Sequence, residues 1–200
     1  GFSAPVILER DGTAEERAFL LAHDTDPFTR WEAGRALAKD VLTRMVTDNA
    51  APGPAYLDAL ARLARDESLD PAFRALALAL PGQDDMAQTL HDSGIVPEPL
   101  AIFAATRTLT ERIAEALRDI LQALHAAMDT PGPYSPDARA AGRRALRLTA
   151  LSYLSRLDGG AAARAQFRAA DNMTEQLGAL AILIEIGQAE DALADFLRQW

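Results

Sequence analysis

Signals that start an α-helix recur along this sequence from Thr13 onward. Two of them are an aspartate followed by proline, at Asp26-Pro27 and Asp70-Pro71, and a third is Ser135-Pro136. The first residue of each pair can cap the helix with its side-chain oxygen. Proline suits the first helical position because an N–H there would have no partner inside the helix. The sequence therefore predicts a succession of separate helices.

Composition and apolar spacing agree with that prediction. Alanine is abundant and β-branched residues are scarce, which favours helix. Thr13 with Glu16, and Thr108 with Glu111, have the spacing of capping boxes. The second box is predicted to open an amphipathic helix with Ile113, Leu117, Ile120, Leu121, Leu124 and Met128 on one side. About ten helices with short loops predict an all-α fold, in which antiparallel helical hairpins form an α-solenoid of ARM or HEAT type.

Further apolar residues predict which helix faces are buried. Phe28 and Trp31, three residues apart, are expected in the core. The segment after Asp70-Pro71 is almost wholly apolar, so it is expected to be buried all round. Other residues expected to face inward are Ala141, Ala145, Leu148, Leu151 and Leu154, then Leu177, Leu180, Ala181 and Ile184, and finally Leu193, Phe196 and Leu197.

The first residues differ from the rest. Residues 4–9 form a short apolar stretch containing a proline, and Asp11-Gly12 follows, which predicts one strand and a turn. A lone strand has no partner here, so we expect it to belong to a sheet encoded upstream. The start lacks an initiator Met and a charged leader region, so we do not expect it to be a signal peptide. We expect the chain to be a fragment of a longer polypeptide, truncated at both ends, with an apolar face exposed at Trp200.

Composition excludes several classes of function. A net charge of −9 and a pI near 4.8 argue against nucleic-acid binding, which needs a basic face. No apolar run approaches the roughly 20 residues of a membrane span. The absence of cysteine removes disulfides and thiolate chemistry and is compatible with a reducing compartment. The chain has one lysine, Lys39, and nineteen arginines, and we interpret this ratio as a genome-composition bias.

Candidate metal ligands have the wrong spacing. His23, His91 and His125 do not form a His-Glu-x-x-His helix, and we expect cap or surface positions for them instead of a zinc site. The aspartates that could suggest a calcium loop lack its alternation and glycine, so helix capping explains them better. They are Asp24, Asp26, Asp84 and Asp85.

Candidate nucleophiles and anion-binding groups also have simpler interpretations. Ser93 and Ser152 lie in no nucleophile motif, and Gly159-Gly160 is typical of a helix stop. Asn172-Met173-Thr174 matches a glycosylation acceptor formally, but Asn172 is favoured as a helix cap. The local basic patch, Arg143, Arg144 and Arg147, is interpreted as a solvated helix face in preference to an anion or carboxylate contact. We therefore predict no catalytic, cofactor-binding or metal-ligating residue in this chain.

Several strings are informative in their joint order. They are Gly1-Phe2-Ser3-Ala4-Pro5-Val6, residues 23–33, residues 70–81, Pro99-Leu100-Ala101-Ile102, and Asn172-Met173-Thr174-Glu175. In this order they resemble bacterial-type aminopeptidase N over essentially the whole chain. The first string resembles the closing strand of that family's β-sandwich domain, and the second resembles the first long helix of its helical C-terminal domain.

The resemblance implies two parts: residues 1–10 as the last strand of an upstream β-sandwich domain, and residues 11–200 as an incomplete helical C-terminal domain. A parent of this family releases N-terminal amino acids from peptides with a single zinc ion. Its zinc motif and its Gly-x-Met-Glu-Asn amine-binding loop are both absent from this sequence. The chain is therefore expected to be non-catalytic, with no cofactor of its own and one zinc ion in the parent.

The expected role is to enclose the active site of a cytoplasmic parent and restrict access to it. The expected partners are the parent's other domains and its peptide substrates, without nucleic acid or membrane. A free-standing α-solenoid that binds proteins on its concave face is the alternative.

Overall fold

The computed structural model describes residues 12–200, in which the regular structure consists of eleven α-helices without a strand. The expected strand at residues 4–9 lies outside the described residues. In chain order the helices are α1 Ala14–His23, α2 Pro27–Asp48, α3 Pro54–Arg65, α4 Pro71–Leu78, α5 Gln83–Asp92, α6 Pro99–Ala116, α7 Arg118–Ala127, α8 Ala138–Leu154, α9 Ala161–Ala169, α10 Met173–Glu185 and α11 Glu190–Gln199. The all-α prediction is confirmed.

Most helix starts occur where the sequence predicts them. The Thr13 hydroxyl accepts from the Glu16 N–H at 3.1 Å, and the Glu16 carboxylate accepts from the Thr13 N–H at 3.0 Å, so the first capping box is formed. Asp26 and Asp70 cap α2 and α4, each followed by proline at the start of the helix. Asp137, two residues after the predicted Ser135, caps α8.

The predicted helix start at Thr108 is wrong. Helix α6 begins at Pro99 and runs through Thr108, because the residues between them are good helix formers without a breaker. The long amphipathic helix is also interrupted at Leu117, whose φ of −104° and ψ of 12° separate α6 from α7. Ile113, Leu117, Leu121 and Leu124 are nevertheless all buried, so the predicted apolar stripe continues across the break.

Two hydrophobic cores lie side by side along the chain. The larger joins α1 to α8 and contains Leu21, Leu42, Leu63, Leu90 and Leu146, all 1% exposed or less. The smaller joins the end of α8 to α9, α10 and α11 around Leu151, Ala163, Phe167, Leu180 and Leu183. Helix α8 contributes to both cores, so it connects the two parts of the molecule.

Several predicted buried faces are wrong by part of a turn. Phe28 is 67% exposed, and Leu76 in α4 is also exposed while Arg74 beside it is buried. In α8, Ala141 and Ala145 face outward, and Gly142, Leu146 and Ala150 are buried. The other residues predicted inward but exposed are Leu177, Ala181 and Ile184 in α10 and Leu193 and Leu197 in α11. Alanine-rich helices have apolar side chains on several faces, so spacing alone does not select the buried one.

Four helices end in an extended C-cap residue, and each receives a hydrogen bond from a side chain of a later helix. Arg30 of α2 donates from Nε to the Leu21 carbonyl at 2.9 Å and from Nη2 to the Ala22 carbonyl at 3.3 Å, at the end of α1. The other three donors are Arg74 to the Ala64 carbonyl of α3, Tyr153 to the Leu78 carbonyl of α4 at 2.6 Å, and Gln176 to the Phe167 carbonyl of α9 at 3.5 Å.

Other helices satisfy their last carbonyls locally. Gly187 follows α10 with a φ of 71°, and the Gln188 N–H donates to the Leu183 carbonyl at 2.8 Å, which is the glycine-dependent Schellman arrangement. Gly94 ends α5 in the same way, with the Ile95 N–H on the Leu90 carbonyl at 2.9 Å. Side-chain donors from neighbouring helices therefore act where the chain provides no such glycine.

Buried arginines give the arginine content a structural reason. Arg30, Arg74 and Arg144 are each 5% exposed or less. Burial is also the largest cause of the lowered pKa of Arg74. The interpretation of arginine usage as composition bias alone is therefore incomplete, since guanidinium offers several donors in a fixed plane and is less strongly hydrated than ammonium.

Within residues 12–200, no helix combines the length and the apolar character that crossing a bilayer requires.

Replacing Arg30 with methionine should lower the free energy of unfolding by about 2–4 kcal/mol. The loss leaves the Leu21 and Ala22 carbonyls without this donor, and Asp66 loses the Arg30 Nη1 contact at 3.2 Å. Urea denaturation followed by circular dichroism measures the change. Arg112→Met, at an exposed pair with Glu115, is the control and should cost under about 0.5 kcal/mol. Equal losses for both variants would contradict the capping role.

Gly160 and Gly159 form a matched pair in the turn between α8 and α9. Both have left-handed backbone, with φ of 81° and 61°. A Cβ on Gly160 would lie 2.6 Å from Ile186 Cδ1, whereas one on Gly159 would meet nothing within 4 Å. Gly159→Ala should therefore lower the unfolding free energy by about 1–2 kcal/mol for backbone strain alone. Gly160→Ala should cost more in the same urea titration, and an equal cost would show that packing there is irrelevant.

Candidate functional site

The basic patch on α8 holds the preceding loop in place. Arg143 Nη2 donates to the carbonyls of Ala127 and Asp129 at 2.6 and 2.8 Å, which lie at the end of α7 and just beyond it. Arg144 Nη2 donates to the Ser135 carbonyl at 2.7 Å, and its guanidinium lies 4.5 Å from the centre of the Tyr134 ring. The prediction of a solvated helix face is wrong, because these side chains dock residues 128–137 against α8.

Arg147 joins that loop to α10. Its Nη1 lies 2.5 Å from Asp129 Oδ1 and 3.0 Å from Glu175 Oε1. Glu175 is buried, and its second oxygen accepts from Asn172 Nδ2 at 2.9 Å. Asn172 Oδ1 in turn accepts from the Glu175 N–H at 3.0 Å, so the predicted cap role of Asn172 is confirmed. Arg147, Asp129, Glu175 and Asn172 form a closed polar network between α8 and α10.

The closed network limits what the basic patch can do chemically. The alternative of a carboxylate contact is correct for Arg147, but both carboxylates belong to the chain itself. Arg143 and Arg144 donate to backbone carbonyls. An anionic ligand would have to displace these internal partners, so the patch serves packing better than ligand binding.

The three histidines lie on different helices and make unrelated contacts. His23 Nε2, at the end of α1, is 3.1 Å from Arg62 Nη1, and its ring packs on Phe19. His91, at the end of α5, is exposed beside Asp92. His125 Nε2 in α7 is 2.8 Å from Gln166 Oε1 in α9. The structure therefore brings no two of these histidines into a shared contact.

The other candidate residues are engaged in local structure. The Asp26 carboxylate caps α2, as the capping interpretation predicts, whereas Asp24 accepts from the Asp26 N–H at 2.8 Å in the turn before that helix. Asp85 differs, because it pairs with Arg35 and Lys39 of α2 at 2.6 and 2.7 Å. The hydroxyls of the two candidate nucleophiles donate to carbonyls of their own helices: Ser93 to Thr89 and Ser152 to Thr149.

Asp158 is a cap that the sequence reasoning missed. Its carboxylate accepts from the N–H groups of Gly160, Ala161 and Ala162 at 2.9–3.1 Å, at the start of α9. The predicted helix stop at Gly159-Gly160 is wrong, because α8 already ends at Leu154 and the two glycines lie directly before α9. Across the part of the chain that the structure describes, no three His, Cys, Asp or Glu side chains converge in a way that could hold a metal ion.

Open clefts mark the surface of residues 12–200. One of about 880 Å³ lies between α1 and α2. Its apolar lining includes Phe19, Leu20 and Phe28, and its acidic side chains are Glu15, Glu16 and Glu32. The second, about 410 Å³, lies between α9 and α11, and the third, about 220 Å³, lies between α6, α8 and α10. None contains a histidine or a paired nucleophile and base.

Comparison with known proteins places this helical array in a family. The family described as "Domain of unknown function (DUF3458_C) ARM repeats" matches residues 14–200. The chain belongs to this ARM-repeat family. The match confirms the prediction of an ARM-type arrangement of helical hairpins, although no fixed-period repeat is visible in the sequence.

The matched relatives are much longer than this ARM-repeat chain. Aminopeptidase N of Caulobacter vibrioides is 42% identical over 207 residues, which cover 100% of this chain and 24% of that protein. Aminopeptidase N of Escherichia coli is 31% identical over 191 residues, covering 92% of this chain and 21% of that protein. The chain thus spans about a quarter of the length of the relatives it matches, and the resemblance to aminopeptidase N is confirmed.

A solved structure shares the fold of this ARM-repeat chain. The crystal structure of Legionella pneumophila aminopeptidase A in complex with aspartic acid superposes with a TM-score of 0.85. It is 24% identical, and the match covers 99% of this chain and 24% of that one. The chain corresponds to the C-terminal helical domain of aminopeptidase N-like enzymes.

A double-mutant cycle should show that Arg147 and Glu175 stabilise the ARM-repeat fold together. Arg147→Met should lower the unfolding free energy by about 2–4 kcal/mol, because it leaves the buried Glu175 carboxylate without its cationic partner. Glu175→Gln should cost less, because Arg147 keeps its contact with Asp129. The double variant should cost less than the sum by about 1 kcal/mol or more. The exposed pair Arg107 and Glu111 provides a control cycle with coupling near zero. Additive losses for Arg147 and Glu175 would refute the network.

Proposed function

We propose that this chain is a non-catalytic helical segment of a zinc aminopeptidase, which encloses the active site of its parent and restricts access to it. The observation that carries the proposal is the pattern of coverage. Relatives named aminopeptidase N match the chain from end to end but extend to about four times its length. The remaining three quarters leave room for a catalytic domain elsewhere in the parent.

The contacts of the polar side chains support a structural role more than a catalytic one. The arginines of α8, the aspartates considered as ligands and the candidate serines have internal partners. A reaction centre needs polar groups arranged around a substrate, with the nucleophile, the base and the charge-stabilising donors in mutual reach. The described residues present no such arrangement in their clefts.

The zinc ion in this proposal belongs to the parent. A zinc ion in a hydrolase lowers the pKa of a bound water and supplies the nucleophile. Three protein ligands are usual for such a site. Residues 12–200 do not bring three suitable side chains together, so by themselves they do not fit that ion.

The domain organisation completes the proposal. Residues 1–10 would be the last strand of an upstream β-sandwich domain and residues 11–200 the helical domain. The partners would be the other domains of a cytoplasmic parent and peptides with a free N-terminus. The net charge of −9 supports a mild attraction for a substrate that carries an α-ammonium group.

The purified chain should hydrolyse no amino-acid amide and should lose added zinc on chelation and dialysis. A chromogenic alanyl amide measures the first property and elemental analysis the second. Amide cleavage that a chelator abolishes, or one retained zinc per chain, would overturn the non-catalytic assignment.

Enclosure needs a separate measurement in the longer parent polypeptide. Arg147→Met loosens the contact between α8 and α10 and should increase cleavage of long peptides relative to a short amide, if these helices limit access. Arg107→Met, which alters an exposed pair, is the matched control and should leave that ratio unchanged. Equal ratios for both variants and the unmodified parent would refute the access role while leaving the non-catalytic assignment intact.

A further inference from the structure

The cleft between α1 and α2 has two exposed aromatic rings in its lining. Phe19 and Phe28 are 64% and 67% exposed, and Leu20 lies beside them in the same cleft. Aromatic side chains gain much free energy on burial, and a group of exposed apolar side chains marks a surface on which something else packs. The cleft therefore has the character of a docking site.

The charges of the cleft indicate what kind of group it would accept. Glu16 takes part in the capping box of α1, and Arg17 of the lining pairs with Asp40. Glu15 and Glu32 also belong to the lining, are exposed, and form no ion pair with any residue in the range 12–200. An occupant that is apolar and carries a positive charge would complement both the rings and the carboxylates.

The N-terminal segment of the chain is attached at the edge of this cleft. Gly12, the first residue that the structure describes, belongs to the lining. Leu8 comes four positions earlier, and because an extended chain spans at most about 3.5 Å per residue, its Cα lies within about 14 Å of Gly12. A segment attached over so short a distance has an effective concentration that an unattached ligand rarely reaches.

The segment has two sides of different charge when it is extended, as the strand predicted at residues 4–9 would be. Successive side chains of a strand point to opposite sides. One side carries Ala4, Val6, Leu8 and Arg10, and the other carries Pro5, Ile7 and Glu9. The first side combines apolar groups with a cation and complements the cleft, whereas the second ends in a carboxylate that the acidic lining would repel.

We propose that residues 4–10 of this chain occupy the cleft between α1 and α2. Val6 and Leu8 cover the two aromatic rings, and Arg10 lies beside the two carboxylates without a described partner. The proposal goes beyond the proposed function and does not depend on it. A strand has two faces, so the face with Ile7 remains available to an upstream sheet, and docking would fix where such a sheet lies relative to α1 and α2.

Hydroxyl-radical footprinting of the 200-residue chain tests the proposal, because in this polypeptide only residues 1–11 precede the cleft. Oxidation of Phe19 and Phe28 should be slow in the unmodified chain. Leu8→Glu should accelerate it at least about threefold, because a carboxylate among apolar and acidic groups disfavours docking. Ile7→Glu is the matched control on the opposite side of the strand and should leave the rate unchanged.

Charge reversal tests the ionic part of the contact. Arg10→Glu should accelerate oxidation of both rings, and Glu32→Arg in the same chain should restore the slow rate. Phe103 of α6, which is 48% exposed and lies outside the cleft, is the internal reference whose oxidation should not change in any variant. Circular dichroism of each variant checks that the helices are intact.

Three results would overturn the proposal. One is oxidation of both cleft rings in the unmodified chain as fast as that of Phe103, which would leave the cleft to an occupant outside this chain. Another is an equal effect of Leu8→Glu and Ile7→Glu. The last is protection that increases with protein concentration, because a second copy would then cover the rings.

Discussion

Hydrogen bonds from buried side-chain donors to the last carbonyls of other helices hold this array together. Helices α1, α3, α4 and α9 end in extended residues that do not form the glycine-dependent end motif. Their carbonyls are reached by Arg30, Arg74, Tyr153 and Gln176 from helices that come later in the chain. A buried carbonyl left without a donor costs about 1–3 kcal/mol. Satisfying a helix end therefore also fixes which helix packs beside it and in which register.

Helix α8 makes polar contacts with three other helices and so links the parts of the molecule. Tyr153 binds the end of α4, Arg143 binds the end of α7, and Arg147 binds Glu175 at the start of α10. The same helix places Leu146 in the larger core and Leu151 in the smaller one. Gly178 of α10 allows Leu148 to approach closely, since a Cβ there would lie 2.5 Å from Leu148 Cδ1. The two cores are therefore joined by packing and polar contacts on one helix, as the enclosing role proposed above would require.

The sequence predicts helix starts better than helix ends or faces because the starting signals are local. The capping box at Thr13 and the cap at Asp26 use residues within one turn, and both are confirmed. The false start at Thr108 has the same pattern inside a helix that begins upstream. The roles of Arg30 and Tyr153 depend on residues 8–9 and 75 positions away, so no local pattern reveals them. The sequence carries only an indirect signal for these roles. A helix that ends without a glycine needs a hydrogen-bond donor from elsewhere for its last carbonyls.

The pKa shifts of four groups in the described residues reflect structural roles. The Thr29 hydroxyl lowers the pKa of Asp26, and the Ser135 hydroxyl lowers that of Asp137, both from values already acidic. Burial raises the pKa of Tyr56 and Tyr153 from values already basic. A general acid or base at neutral pH needs a shift in the opposite direction, toward 7. These four groups are shifted by capping and by burial in the core, so each is held more firmly in one protonation state, as a structural role requires.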